Sequence, residues 1–413
     1  DLNASLTHRF SAKDKLSLKM YYGRDRLGLS ETYPETEEAI VGNGISITAS
    51  GEDELETDIK WGNLICSLNW DHTINEDIDI RTIAYYTGSY ADVWYRWKDW
   101  QFETKEIEIY DALNETNISK VSDIAATTDL DWRLDGNNRL RMGASYQHHI
   151  YNPSRNSAID NDGSLLETAS GKRYTGDEFA LYAEDEVSIG KLLNLNAGLR
   201  YVIFSVPGKF RHRLEPRLAM SFRCSDNVDI KASYTHMNQF AHLISTNYLD
   251  VPTNCWLPST ENIAPMHSKQ VAAGVYSRLP MDFRLNVEAY YKTMDNLLEY
   301  SGSNTLFPPL DSWETSFHKG KGRAYGLETE LGWESSKLSF TAYYTLSWSE
   351  RRFDGIWHDW YPHRYDNRHK LTLMGLWKIT EGIDVYANWN YNSGGWMTVP
   401  THIYNPGEVF DRY

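Results

Sequence analysis

The chain has 413 residues, with 41 Lys+Arg against 57 Asp+Glu and a formal net charge of −16. So acidic a chain excludes nucleic acid as its main partner, because phosphate binding needs a basic face. Aromatic residues make up 14%, with 15 Trp and 28 Tyr, which excludes a disordered acidic chain. No run approaches the ~18 consecutive apolar residues of a helical membrane span.

Period-two alternation dominates from the first residues onward. Leu2 to Phe10 reads as a strand, followed by a short turn at Ser11–Asp14 and a long connection at Asp25–Glu56. A short turn at Asp71–Glu76, a long connection at Tyr95–Thr116, a turn at Asp135–Asn138 and a long connection at Tyr151–Thr175 continue the pattern. After the turn at Gly190–Lys191, Leu193, Leu195, Ala197, Leu199 and Tyr201 share one face against Asn194, Asn196, Gly198 and Arg200. Long connections at Ser205–His212 and Asn238–Met266 flank a turn at Ser225–Asn227. Beyond Pro280–Asp282, Phe283 to Lys292 alternates again, with Asn286 and Glu288 on the polar face. The connection Ser301–Lys321 and the turn Glu334–Ser336 lead to the clearest strand, Lys337 to Trp348. Arg351–Asp366 is long, Thr380–Gly382 is short, and Ile383 to Asn392 is the last alternating segment.

About sixteen strands of roughly nine to thirteen residues result, the length a tilted strand needs to cross a bilayer. Short and long connections alternate strictly, which puts all short turns at one rim of an up-and-down barrel. Charged and amide side chains run through the middle of the polar faces, and Trp70, Tyr86, Trp132, Tyr146, Tyr201, Tyr234, Trp333, Trp348 and Trp377 cluster at the ends of the apolar ones. A polar lumen and interfacial aromatic girdles explain both. A single soluble sandwich does not hold so many strands, and no blade signature supports a propeller. The expected fold is therefore all-β, a transmembrane antiparallel up-and-down barrel facing outer-membrane lipid.

Several stretches then resemble the barrel of TonB-dependent outer-membrane receptors. Gly320–Glu330 (GKGRAYGLETE) carries the family's G-x-A-x-G-x-E pattern at Gly322, Ala324, Gly326 and Glu328, and Tyr343–Arg352 (YYTLSWSERR) follows it. Tyr361–Thr372 (YPHRYDNRHKLT), Asn392–Pro400 (NSGGWMTVP), Glu215–Arg217 (EPR) and Asn262–Gln270 (NIAPMHSKQ) match further family elements in the family's order. The likeness covers most of Gly176 to Pro400. It implies a 22-stranded barrel in the cell outer membrane, filled by an N-terminal plug that is driven by the TonB energy-coupling complex. On that reading residues 1–413 are one partial barrel domain, an internal fragment lacking plug, TonB box and terminal strands, and not expected to fold stably alone.

The same likeness implies a receptor that binds a scarce nutrient at its outer loops (a siderophore, cobalamin, a glycan or a peptide) and imports it. Outer-loop aromatics are the ligand candidates: Trp94, Trp97, Trp100, Tyr248, Trp256, Trp313, His318, Trp357, His358 and Trp360. Glu184, Arg200, Arg217, Glu328 and Glu330 are the plug-contact candidates, although residues of this kind also line a solvated lumen. His358, His363 and His369 lie near Asp359 and Asp366, but their spacing is not that of a metal motif, and loop packing is the preferred reading. The cysteines Cys66, Cys224 and Cys255 match no metal or redox motif and read as small hydrophobes. No nucleophile elbow, zinc-protease motif or phosphate loop is present, so neither an enzyme nor a cofactor is expected. The alternatives are a passive porin-like channel and a soluble β-rich binding module.

Overall fold

The alternating segments become strands, and the strands form one antiparallel meander. The computed structural model describes residues 1–41, 45–103, 106–158, 165–169, 172–244, 255–300 and 313–396. In chain order the strands are β1 (Leu2–Arg9), β2 (Asp14–Val41), β3 (Ile45–Asn75), β4 (Ile78–Glu103), β5 (Glu106–Arg133), β6 (Asn138–Ala158), β7 (Leu165–Ala169), β8 (Tyr174–Ile189), β9 (Leu193–Val206) and β10 (Lys209–Ser225). They continue with β11 (Val228–Gln239), β12 (Ala241–Ile244), β13 (Cys255–Pro258), β14 (Met266–Arg278) and β15 (Phe283–Tyr300). A four-residue helix, α1 (Trp313–Ser316), precedes β16 (Phe317–Glu334), β17 (Leu338–Phe353), β18 (Trp357–Pro362), β19 (His369–Thr380) and β20 (Ile383–Asn392). Sixteen strands pair in sequence order; β7 and β18 add short flaps to β6 and β17, and β12–β13 form a separate ribbon. Among the described residues β1 pairs only with β2 and β20 only with β19, so both are edges.

The register carries one face around the whole sheet. Met20, Cys66, Tyr86 and Ile124 sit opposite one another on β2 to β5, as Tyr291, Tyr325 and Trp348 do on β15 to β17. Every girdle residue named from the sequence falls on this face. Its large side chains are exposed, including Leu18, Ile124, Leu181, Leu199, Leu218 and Leu327. A water-soluble sheet would bury such a belt; a lipid-facing one presents it. The opposite face carries a run of ion pairs, from Lys15–Asp71–Arg81 near one rim through Arg139–Asp131 to Arg141–Glu184.

The long connections differ from the sequence reading. Most of Asp25–Glu56 and Tyr95–Thr116 is strand, paired as far as Val41↔Ile45 and Glu103↔Glu106. At ~3.4 Å per residue, the 31 residues of β3 extend roughly 100 Å, far more than a bilayer crossing needs. Ser205–His212 is not a long connection but a hairpin turning on Pro207–Gly208, with Gly208 at φ 85°. Proline presets the turn and glycine supplies the positive φ.

The glycines of the G-x-A-x-G-x-E strand face inward. A Cβ on Gly326 would stand 2.7 Å from the Leu346 carbonyl and 3.0 Å from the Tyr290 hydroxyl. Tyr290 lies directly across the strand from it. The motif thus keeps the lumen wall thin where aromatic rings lie flat against it.

Candidate binding site

Two connections fold into the barrel mouth and meet there. The ribbon β12–β13 leaves the end of β11, yet touches β5, β6, β8 and β15, so the sheet must curl around it. Cys255, Leu257 and Ile263 from the ribbon side pack on Trp313 and Phe317 from the β15–β16 connection, with Tyr174, Leu298 and Tyr300 at the margin. Burying such side chains contributes ~1.5–3 kcal/mol each. Hydrogen bonds of ~1 kcal/mol each also tie this cap to β8 and β5: the Trp313 indole N–H donates to the Tyr174 hydroxyl at 3.3 Å, and the Ser119 hydroxyl bonds the Cys255 thiol. Burial pushes the Cys255 thiol up to about 11, which keeps it unreactive while covered.

The ribbon root is anchored on β9 and β10. Phe240 stacks on Phe204 with centroids 4.5 Å apart, among Ala180, Val202 and Val206. One guanidinium nitrogen of Arg211 donates to the carbonyls of Thr260, Glu261 and Ile263 at 2.6, 3.1 and 3.3 Å. His242 is buried, its Nε2 3.1 Å from the Ser259 Oγ. Desolvation, with a smaller push from Arg211, lowers its pKa to about 4, so the imidazole is neutral at ordinary pH. A second polar cluster closes the β15–β18 side, where Arg351 bonds Glu299 at 3.3 Å and Tyr361 meets the same carboxylate.

Below the cap, the five plug-contact candidates share the lumen face but not the same circumstances. Arg200 is held between Glu178 at 2.7 Å and Glu215 at 3.0 Å. Glu184 accepts from Arg141 at 3.3 Å and Asn196 at 2.9 Å. Glu330 accepts one bond, from Asn286. Glu328 faces Glu288 directly across the ladder. Arg217 has its Nε buried without a partner, beside the open notch that Gly198 leaves.

The ligand candidates do not converge on one spot. Trp256 is partly exposed on the ribbon, whereas Trp313 is 2% exposed and belongs to the cap core. His318 lies against Gly355, with its neighbour Phe317 in the cap core. Trp97 faces inward on the β4 arm and stacks on Tyr33 at 6.1 Å; Trp94 points to the other face. Trp357 and His358 are exposed at the β17–β18 turn. Trp360 lies under Arg323 and Arg352, on the lipid-side face rather than in the mouth. The backbone of Trp100 pairs with Ile109, but its side chain, like all of Tyr248, lies outside the described residues. His358, His363 and His369 form no metal cluster among the described residues. Sequence reasoning missed Glu215, Arg211, Phe240 and His242. The available signals are the Glu215–Arg217 motif and the apolar content of Phe240 and Cys255–Pro258 inside a segment that reads as loop.

An exposed apolar belt, aromatic girdles, a charged lumen and an inward-folded cap define an outer-membrane β-barrel with a closed mouth. The chain belongs to the TonB-dependent receptor family: the family described as TonB dependent receptor-like, beta-barrel, matches residues 4–409. No curated protein sequence matches it. Among solved structures it is similar to the siderophore receptor PiuA from Acinetobacter baumannii, at TM-score 0.58 and 13% identity, covering 94% of this chain and 69% of that one. It is also similar to BauA, the ferric preacinetobactin receptor of the same organism, at TM-score 0.56 and 12% identity, over 95% and 66%. The ferric-catecholate import receptor Fiu from E. coli K12 gives TM-score 0.54 and 12% identity, over 94% and 68%. Identities this low carry the fold alone.

Proposed function

We propose that this chain is barrel wall and mouth of a receptor that takes up an iron–siderophore complex through the outer membrane, energised by TonB acting on a plug. The observation that carries this reading is the family match over residues 4–409, which the ribbon and the β15–β16 connection packed together at the mouth accompany. The names of the similar structures, all iron-chelate receptors, supply the substrate class. In this reading Arg217, Glu328 and Glu330 face the plug with hydrogen-bonding capacity to spare, whereas Arg200 and Glu184 serve the wall. Trp256, Trp97, His318, Trp357 and His358 are the ligand-facing candidates, and no covalent chemistry is required of any of them.

The test is uptake of radioactive iron from a panel of catecholate and hydroxamate siderophores, in cells with and without the intact gene. Uptake of at least one complex should vanish on deletion and on addition of a protonophore. Unchanged uptake, together with ion conductance of the purified protein in planar bilayers, would replace the receptor with a porin-like channel.

A further inference from the structure

The ladder between β10 and β11 stops halfway up the wall. It runs from Ser225↔Val228 to Arg217↔Thr235, although β10 continues to Lys209 and β11 to Gln239. The next position on β10 is Pro216, which has no N–H to give. Beyond it the two strands make no further pairs with each other, and the root of the β12–β13 ribbon seats on β8 and β9. Side chains then do what the backbone ladder does elsewhere. Glu215 is 1% exposed, and one of its oxygens accepts the Asn238 backbone N–H at 2.8 Å and the Asn238 Nδ2 at 3.1 Å. The other oxygen accepts from Arg200 at 3.0 Å, and Arg200 also holds Glu178. Two residues past Asn238, Phe240 begins the ribbon's seat on Phe204.

We propose that Glu215 is the positioning residue of the cap: where Pro216 interrupts the wall, its carboxylate fixes Asn238 and so decides where the ribbon enters the mouth. A buried carboxylate with every oxygen bonded is a costly way to fill an apolar wall, and it holds only the geometry that supplies all its donors. Arg200 acts through Glu215, which gives this lumen-facing arginine a role in the mouth rather than toward the lumen. The consequence for ligand capture rests on the receptor reading; the placement of the ribbon does not.

The native thiols give the readout. In the full-length protein in detergent micelles, the exposed Cys224 should label quickly with a small maleimide and the buried Cys255 slowly. Glu215→Ala is expected to speed Cys255 labelling by about tenfold or more, the scale set by losing charge-assisted hydrogen bonds, with Cys224 unchanged. Glu215→Gln keeps an acceptor for Asn238 and should fall between. Unchanged Cys255 labelling in Glu215→Ala overturns the proposal, and so does an equal acceleration at Cys224 in a protein that keeps its heat-resistant folded band. If Glu215→Ala does not fold, Pro216→Thr restores the missing donor. It should extend the β10–β11 ladder, slow amide exchange at His236 to Asn238, and make a second change at Glu215 harmless to Cys255. No slowing at those amides also overturns the proposal. Loss of the receptor reading would appear only in the iron-uptake experiment and would leave these labelling results standing.

Discussion

His242 shows how much a single buried side chain decides in this mouth. Its ordinary pKa of 6.5 falls to about 4 on burial. The unfolded ribbon therefore binds a proton that the folded one refuses between those two values. The sign follows from linkage: stability is fully present above ~6.5 and is lost as pH falls toward ~4. Two to three units correspond to about 3 kcal/mol at the acid end. Lowering pH from about 7.5 to about 4.5 should raise proteinase K cleavage within residues 240–263 of the purified protein. In His242→Gln, which cannot charge, that rise should be much smaller. Equal pH responses would show that another group governs the ribbon. His363, whose pKa is also lowered to about 4 by burial, lies on the β17 side, and the His242→Gln comparison separates the two.

At the level of elements, alternation made the strands and their faces legible, because period two is a property of the backbone and needs no partner. Lys337 to Trp348 and Phe283 to Lys292 came out with the expected faces for that reason. What alternation cannot mark is where a strand leaves the bilayer, since an arm in water alternates too. β2 to β5 were accordingly read short, with their outer halves taken for loop. The cap was illegible for a different reason: its core joins residues from two connections far apart in sequence, Leu257 and Ile263 on one, Trp313 and Phe317 on the other. For the plug-contact candidates the inward side is legible, but not that Arg200 bonds Glu178 and Glu215. The close approach at Gly326 belongs to this scale as well. Gly326→Val would place a branched side chain against the Leu346 carbonyl and the Tyr290 ring. The β15–β16–β17 register has no free space to absorb it, so a loss of ~1–3 kcal/mol is expected. Chemical denaturation in micelles should show a lower midpoint, while a Thr329→Val change on the lipid face of the same strand leaves it in place.

For the whole molecule, the open sheet is the governing fact. All eight residues of β1 and all ten of β20 are exposed, and each strand presents a row of backbone donors and acceptors without a second neighbour among the described residues. Hydrocarbon offers nothing to satisfy those groups, and each one left unpaired costs several kcal/mol. Lipid-facing sheets therefore persist only when closed. Sixteen strands with a polar lumen also leave more interior than their own side chains fill, apart from the cap at one end. We propose that both deficits are met by strands beside β1 and β20 and by an occupant of the lumen. Expressed alone and refolded in micelles, this chain should run on unheated gels at its unfolded position and be degraded by trypsin. A protein that also supplies neighbours to β1 and β20 should show the shifted, protease-resistant band of a closed barrel. If residues 1–413 alone gave that band, β1 and β20 would have to pair with each other, and the lumen would then be that of a smaller barrel whose cap alone closes it.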